Sequence, residues 1–396
     1  MVSSRQDDNP GTIAAILLGT IGVLSFIVQP GLVQGFVTEY GTSEAVANEL
    51  AFLEMLGIAA ATILAALVSD RVSWRLQSVI ALLVAAAGYV LSGLASGGEM
   101  LSTARFVSGF GSGVIISISF AVVGATARPE RNLGRYLVLL LTYGALGLWA
   151  MPTILDSIGL DAVFYVWAIA CVVAILAALR LPAGAVTDTA SAISEFQRLP
   201  GRAPIAAIAL TLAGILIYNV SVGIAWANLF LIGIDAGIEE QPIADALLIC
   251  QFTAVAGALA AVWFAEKVRN LWPVLIGLAG GAGAIALTLG RPDYAAFLFA
   301  LVAFNTLWNF AMPFILGLAA SLTPSGRLMS SAIAFQMIGL AFGPLAASAL
   351  LGRATGFEPV KVLSIATMLG AMALLTWPLL LRRQNSAHAT RHHSPA

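Results

Sequence analysis

A short polar stretch interrupts two long apolar runs early in the chain: Ala66-Leu67-Val68-Ser69-Asp70-Arg71-Val72-Ser73-Trp74-Arg75. Its central triplet, residues 70–72, has a counterpart 196 residues later in Glu266-Lys267-Val268, which also follows an apolar run. An acid, a base and a valine at the same place in both halves predict an internal repeat. Further pairs match at shifts of 196 or 195 residues: Glu39 and Asp235, Gly41 and Gly237, Glu49 and Asp245, Pro129 and Pro324, Gly144 and Gly339.

The composition on either side of this stretch is that of a membrane protein. Of 396 residues, 60% are hydrophobic and only 10% are charged, whereas soluble domains carry about 25% charged residues. A globule cannot bury such an excess, because its surface needs more polar side chains than this chain supplies. The composition therefore excludes a soluble enzyme, and a net charge of −1 gives no basic surface for nucleic acid.

Apolar runs long enough to cross a bilayer, about 20 residues each, occur twelve times. The first six predicted spans are 12–37, 46–68, 76–97, 101–127, 133–155 and 160–181, and the second six are 204–232, 242–264, 271–290, 293–322, 328–351 and 359–381. The fold class predicted is therefore an all-α integral membrane protein with twelve transmembrane helices in two pseudo-symmetric six-helix bundles.

The polar segments divide the chain into four parts and give its orientation. We predict an N-terminal bundle over 1–181, a cytoplasmic linker over 182–203, a C-terminal bundle over 204–381 and a disordered cytoplasmic tail over 382–396. Fifteen of the nineteen Lys and Arg residues fall on the side that holds both termini, three on the other side, and Arg105 inside a span. Since positive loops stay inside, both termini are expected in the cytoplasm and the protein in the inner (plasma) membrane.

Three motifs resemble those of the major facilitator superfamily, and the resemblance covers nearly the whole chain. The stretch 66–75 looks like that family's loop between helices 2 and 3, although Ser73-Trp74 replaces a Gly-Arg pair. Arg105-Phe106-Val107-Ser108-Gly109-Phe110-Gly111-Ser112-Gly113 is similar to its Arg-then-Gly pattern in helix 4, and Gly339-Leu340-Ala341-Phe342-Gly343-Pro344 to its Gly-Pro patterns in helix 11. The resemblance implies the major facilitator fold and leans towards the drug and metabolite antiporter branch.

The charged loop residues of both halves are candidates for a gate. A carboxylate at a helix end can accept hydrogen bonds from helix N-termini and arginine side chains, which would hold the cytoplasmic side closed. A solvated turn that carries positive-inside charges is the alternative. The gating candidates are Asp70, Arg71, Arg75, Glu266 and Lys267.

Two charges lie inside apolar spans. Glu54 precedes Asp70 by sixteen residues, or roughly 24 Å along a helix, and an ionised carboxylate that faces lipid costs at least ~2.5 kcal/mol. We expect it to face a cavity, to be protonated or to be paired, with proton coupling or substrate binding set against a structural role. Arg105 needs a partner, for which Glu54 is the candidate. It could bind an anionic substrate, or snorkel to the outer headgroups.

Polar and aromatic side chains at membrane depth are candidates for contact with a substrate. Asn305, Trp308 and Asn309 share one face of a helix, and together such groups suit a partly apolar ligand with a few hydrogen-bonding atoms. Hydrogen bonding between helices is the alternative for each residue. The complete set of substrate or coupling candidates is Gln29, Glu54, Arg105, Tyr143, Asn219, Gln251, Asn305, Trp308, Asn309 and Gln336.

The predicted function is secondary active transport of a small organic molecule by alternating access around a site between the halves. Proton-coupled export by antiport is the first hypothesis, and uptake of an organic anion by proton symport, with Arg105 holding the carboxylate, is the alternative. A non-transporting membrane sensor is a minor alternative. The expected partners are the substrate, protons and the lipid bilayer. No cofactor or metal is expected, and the protein is expected to be a monomer.

Overall fold

The computed structural model describes residues 10–68, 72–126, 128–182, 205–265, 267, 271–322, 327–353 and 356–391. Within these ranges every regular element is a helix. The thirteen helices are α1 Pro10–Gly22, α2 Leu24–Ile27, α3 Gln29–Thr38, α4 Glu44–Val68, α5 Trp74–Gly93, α6 Gly98–Gly124, α7 Pro129–Ala178, α8 Ile205–Asp235, α9 Glu240–Ala265, α10 Leu271–Ala286, α11 Tyr294–Leu322, α12 Arg327–Leu351 and α13 Glu358–Arg391.

The first crossing is broken twice, although the sequence predicted one span over 12–37. Val23 (φ −106°, ψ 10°) ends α1, and Val28 (φ −104°, ψ 17°) ends the four-residue helix α2. Pro30 explains the second break, because proline has no N–H to donate to the carbonyl four residues earlier, that of Phe26. Gly22, a weak helix former, directly precedes the first break.

The fifth and sixth predicted spans are joined without a loop. Both belong to α7, a run of 50 residues that is non-helical only at Gly159 (φ 77°, ψ 169°). Side chains disfavour a positive φ, so glycine suits this bend. With α1–α3 counted as one crossing and α7 as two, the helices of the described ranges account for twelve membrane crossings, in agreement with the predicted number.

The two halves repeat in detail. Tyr165 Oη donates to the Gly93 carbonyl at 2.9 Å, and at a shift of 196 to 197 residues Lys361 Nζ donates to the Gly290 carbonyl at 3.3 Å. The positive-φ glycines follow the same register, in the pairs Gly41 and Gly237, and Gly159 and Gly356. The internal repeat therefore extends to individual hydrogen bonds and backbone turns.

The bundles meet along two related seams. Helix α4 of the first half packs against α12 of the second, and α9 of the second packs against α7 of the first. In the broken first crossing, α3 packs against α8 of the other bundle, whereas α1 packs against α6 and α7 of its own. The site described below lies where these seams converge on α2.

The end of the molecule where α3 leads into α4 and α8 into α9 is opposite both chain termini, and we call it the distal end. Asn48 and Asn228 are fully buried there and each donates an amide hydrogen to the other, at 2.8 and 3.0 Å. Further hydrogen bonds link the bundles at this end, between Gln34 and Glu240 at 3.1 Å and between Ser348 and Glu49 at 3.1 Å. The distal end is closed.

The chain end differs from its prediction. A disordered tail was predicted from 382, but α13 continues to Arg391. Residues 382–391 contain neither glycine nor proline, so nothing in them breaks the preceding helix. The linker predicted over 182–203 lies outside the described residues from 183 onwards, as do residues 392–396 of the tail.

Candidate functional site

The two intramembrane charges form an ion pair in the N-terminal bundle. The Glu54 side chain on α4 is 1% exposed and the Arg105 side chain on α6 is fully buried, and the two are in direct contact. This confirms the predicted pairing and contradicts the alternative that Arg105 snorkels to the headgroups. The helices approach this closely because Gly109 has no side chain, and a Cβ there would collide with the backbone carbonyl of Glu54.

Hydroxyl groups complete the surroundings of the carboxylate. Ser25 on α2 donates a hydrogen bond to Glu54 Oε1, and its Oγ lies 3.2 Å from the hydroxyl of Tyr89 on α5. The same carboxylate oxygen, Oε1, therefore meets both a positive charge and a chain of two hydroxyl groups. Sequence reasoning missed Ser25 and Tyr89. A serine four residues before the Gln29-Pro30 pair was the available signal.

The guanidinium of Arg105 is enclosed by aromatic rings and one hydroxyl. Its Cζ lies 5.7 Å from the ring centre of Tyr89 and 5.1 Å from that of Phe164, and its Nη1 lies 3.4 Å from Ser92 Oγ. Rings attract a cation through their faces and exclude water from it. Removing the negative charge of Glu54 would leave this cation buried without an anionic partner, which is strongly unfavourable.

Three amides of the C-terminal bundle form a hydrogen-bonded series, the amide series. Asn309 Nδ2 donates to Asn305 Oδ1 at 3.2 Å, and Asn305 Nδ2 donates to Gln251 Oε1 at 3.1 Å and to the Cys250 carbonyl at 3.0 Å. Helices α9 and α11 are thereby joined at mid-membrane. The structure thus brings together three of the predicted ligand residues.

An indole pair joins α8 to the same face of α11, with Trp226 on α8 and Trp308 on α11. The ring centres of Trp226 and Trp308 are 5.9 Å apart, and Phe304 lies 6.2 Å from Trp308. Trp226 Nε1 donates across to the first bundle, to the Phe26 carbonyl, at 3.3 Å. Trp226 was not predicted, although a buried tryptophan usually needs a partner for its N–H. We call the amide series and the indole pair together the ligand patch.

The short helix α2 touches both groups. Besides Ser25 and Phe26, its Leu24 carbonyl accepts a hydrogen bond from Tyr143 Oη at 2.9 Å. A Cβ on Gly144 would collide both with Ile27 of α2 and with Gln251 Nε2 of the opposite bundle. The buried charges and the ligand patch are therefore separated by a single helical turn.

The remaining ligand candidates are less connected. Gln29 is buried, and its Nε2 has no hydrogen-bond partner in the part of the chain that the structure describes. Asn219 donates to the Ile215 carbonyl of its own helix at 2.7 Å, and Gln336 is half-buried on α12. Their contact with a ligand stays a prediction.

Of the gating candidates, Asp70, Arg71 and Glu266 lie outside the described residues. Arg75 Nη2 donates to the Leu181 carbonyl at 2.8 Å, and Lys267 Nζ lies 3.5 Å from the ring centre of Trp263. Each contact joins two residues of the same bundle, the N-terminal one for Arg75 and the C-terminal one for Lys267. The role of these residues as a gate stays a prediction.

Comparisons with known proteins agree with this architecture. The family model described as Major Facilitator Superfamily matches residues 14–327. The chain is 24% identical over 375 residues, 90% of each protein, to "Putative niacin/nicotinamide transporter NiaP" of Bacillus subtilis (strain 168). A D-xylose-proton symporter structure superposes with a TM-score of 0.71 at 14% identity, over 92% of this chain and 96% of that one. The xylose transporter XylE from E. coli, in a partially occluded inward-open conformation, gives 0.68 at 13% identity, with the same coverage.

Proposed function

Since this chain belongs to the major facilitator superfamily, a family of membrane transporters, we propose that it moves a small organic solute across the plasma membrane by proton-coupled alternating access. The protein acts as a monomer, with both termini in the cytoplasm and the distal end outside. Positive-inside loops support this orientation. The gate at the cytoplasmic end consists of Asp70, Arg71 and Arg75 with Glu266 and Lys267.

The observation that carries proton coupling is the buried ion pair of Glu54 and Arg105. All three histidines of the chain lie at 388 or beyond, so a proton site at membrane depth has to use a carboxylate. The groups that face Glu54 are Arg105 from α6, Ser25 from α2 and Tyr89 from α5. Among them the carboxylate is the group that can accept a proton and become neutral.

Protonation of Glu54 changes the electrostatic interaction that holds the Arg105 side chain in place. It removes the negative partner of Arg105 in a water-excluded pocket, where charge interactions are strong. The cation then gains by reorienting towards another anionic or polar group. The bond from Ser25 changes at the same step, and the neighbouring Phe26 carbonyl is bonded to Trp226 of the other bundle. The proton site and the substrate site are thus coupled through α2.

The solute binds at the ligand patch. Indoles supply an apolar surface, while amides supply a few directed hydrogen bonds, a combination typical of small-molecule sites. Gln29, Tyr143, Asn219 and Gln336 line the same cleft when the bundles separate.

Export in exchange for protons is our first candidate for the direction of transport. A second candidate is uptake of an organic anion with protons; one relative is named "Putative niacin/nicotinamide transporter NiaP", and niacin is a carboxylic acid. In both cycles the carboxylate of Glu54 has to bind and release a proton.

Proteoliposomes with an internal pH indicator test the proposal. Addition of substrate should move protons, and Glu54→Gln should abolish this movement and gradient-driven accumulation, while substrate exchange without a gradient continues. Glu99→Gln, an exposed carboxylate on the same helix as Arg105, is the matched control and should behave as wild type. Protons that move against the substrate support export, and protons that accompany it support uptake. Full coupled transport by Glu54→Gln would exclude the proposed mechanism.

A further inference from the structure

We propose that Gln251 presents its side-chain N–H₂ to the substrate, so that the transporter selects an aromatic solute that carries a carbonyl oxygen, as a carboxamide or a carboxylate. The proposal rests on the proposed function, and it names the chemistry of the bound solute.

The direction of each hydrogen bond in the amide series follows from one backbone group. The Cys250 carbonyl can only accept, so the atom of Asn305 that lies 3.0 Å from it has to be the Nδ2 donor. The same Nδ2 lies 3.1 Å from Gln251, and the atom of Gln251 that faces it therefore has to be the acceptor Oε1. The other terminus of Gln251 is then necessarily the N–H₂ donor.

This donor is buried and has no partner. Gln251 is 1% exposed, and its Nε2 makes no hydrogen bond to any described residue. Leaving a buried N–H unsatisfied is unfavourable, and native structures satisfy nearly all such groups. The donor points at the seam between the bundles, against Gly144 of α7 and close to Ile27 of α2. An acceptor that arrives when the seam opens would satisfy it.

A second buried donor without a partner among the described residues belongs to the N-terminal bundle. Gln29 is 2% exposed, and its Nε2 also lacks a hydrogen bond within the described ranges. It follows Ile27 by two residues at the start of α3, so it belongs to the other bundle. Both unsatisfied groups are donors, so the partner that each one lacks is an acceptor, and the oxygen atoms of a carbonyl or carboxylate group have lone pairs for more than one donor.

The indole pair supplies the remainder of the recognition. Trp308 shares its helix face with Asn305 and Asn309, and its ring centre lies 5.9 Å from that of Trp226, with the two ring planes tilted by 58°. A flat ring fits such a surface through offset or edge contacts. The patch therefore fits a ring that bears a carbonyl group better than an aliphatic polyol or an aliphatic cation.

Direct binding to the purified protein, measured by calorimetry without any ion gradient, tests the inference with three probes of similar size. Benzamide and benzoate offer a carbonyl oxygen, whereas benzylamine offers only a donor. We expect the first two to bind at least tenfold more tightly than benzylamine. Equal or undetectable binding of benzamide and benzylamine would overturn the inference. So would binding of benzoate alone, because that result indicates recognition of charge by a cation.

Variants identify the donor. Gln251→Glu keeps the size and the acceptor for Asn305 but removes the donor, so the affinity for benzamide should fall about tenfold. Gln251→Leu should lower the affinity for benzamide by a similar factor. A monodisperse elution profile shows that each variant is folded. Gln77→Glu, the same exchange on α5 at a side chain that donates to the Val72 carbonyl, is the control. Wild-type affinity for benzamide in both Gln251 variants would exclude this donor.

The binding assay and the transport assay test the solute chemistry and the proton coupling independently. If benzamide does not bind but Glu54→Gln still abolishes proton movement, the solute chemistry is wrong and proton coupling stands. If the binding preferences hold while Glu54→Gln transports normally, only the coupling mechanism fails.

Discussion

The N-terminal and C-terminal bundles share a duplicated frame and differ in the chemistry placed on it. At a shift of 196 residues, Glu54 of the first half corresponds to Cys250 of the second. Glu54 pairs with a buried arginine, whereas Cys250 offers its backbone carbonyl to an uncharged amide series. The difference shows that duplication preserved the helices and turns while the two halves took on separate tasks, charge in one and neutral hydrogen bonding in the other.

The same contrast occurs at the distal end with the roles reversed. Tyr165 of the first bundle donates a hydrogen bond to a backbone carbonyl. Its counterpart in the second bundle, Lys361, donates to the corresponding carbonyl and also forms an ion pair with Glu358 at 2.9 Å. Charge is therefore not confined to one half. What distinguishes the N-terminal bundle is a charge pair at membrane depth, beside the seam.

The largest effect is expected when the charge pair of the N-terminal bundle is neutralised one member at a time. Glu54→Gln leaves Arg105 buried without its anion and should cost about 3–5 kcal/mol of unfolding free energy. The double variant Glu54→Gln with Arg105→Gln replaces both charges by amides and should recover much of that loss. Thermal unfolding in detergent measures both. A double variant as unstable as the sum of the single changes would show that the two residues do not act as a pair.

A smaller effect is expected where the second bundle uses neutral groups. Asn305→Leu removes the centre of the amide series and leaves Gln251 Oε1 and the Cys250 carbonyl without this donor. The expected loss is about 1–3 kcal/mol of unfolding free energy, by the same measurement. A loss as large as that of the charge variant would contradict the proposed difference between the bundles.

The indole pair sharpens the assignment of the ligand patch to the second bundle. Trp308→Ala removes ring contacts worth about 0.5–1.5 kcal/mol, so the affinity for benzamide should fall roughly two- to tenfold by calorimetry. Trp272→Ala, at a side chain that is 58% exposed, is the control and should bind normally. Unchanged affinity in Trp308→Ala would remove the indole from the patch.

The smallest expected effect concerns Tyr40, whose hydroxyl donates to Asp161 in the distal part of the first bundle. Partial burial, and then the carboxylate of Asp161, raise the pKa of Tyr40 above its usual value. The stabilisation of the fold by this hydrogen bond should therefore be complete below the pKa of tyrosine in the unfolded chain, about 10, and decline only at higher pH. Tyr40→Phe should cost about 0.5–1.5 kcal/mol, constant from pH 6 to 9 in thermal unfolding. A difference that grows or vanishes within that range would contradict the assignment.

The sequence predicted what depends on long apolar runs and on isolated charges. Twelve crossings and the repeat follow from hydropathy and register, and Glu54 and Arg105 were paired because a lone charge in lipid needs a partner. The break at Val23, the contact of Trp226 with Phe26 and the polarity of the amide series could not be predicted. Each depends on which face of a helix meets another, and a nearly uniform apolar helix does not encode that in its own sequence.

The buried contact between Asn48 and Asn228 has a consequence for how the distal end responds to its surroundings. Two amides that satisfy each other carry no net charge, so neither the acidity nor the ionic strength of the medium alters their bonds. A change of pH would leave these two bonds in place, whereas the neighbouring links at the distal end, from Gln34 to Glu240 and from Ser348 to Glu49, use carboxylates. Whatever parts the two bundles at this end therefore has to break a neutral, mutually satisfied amide pair that a change of pH leaves intact.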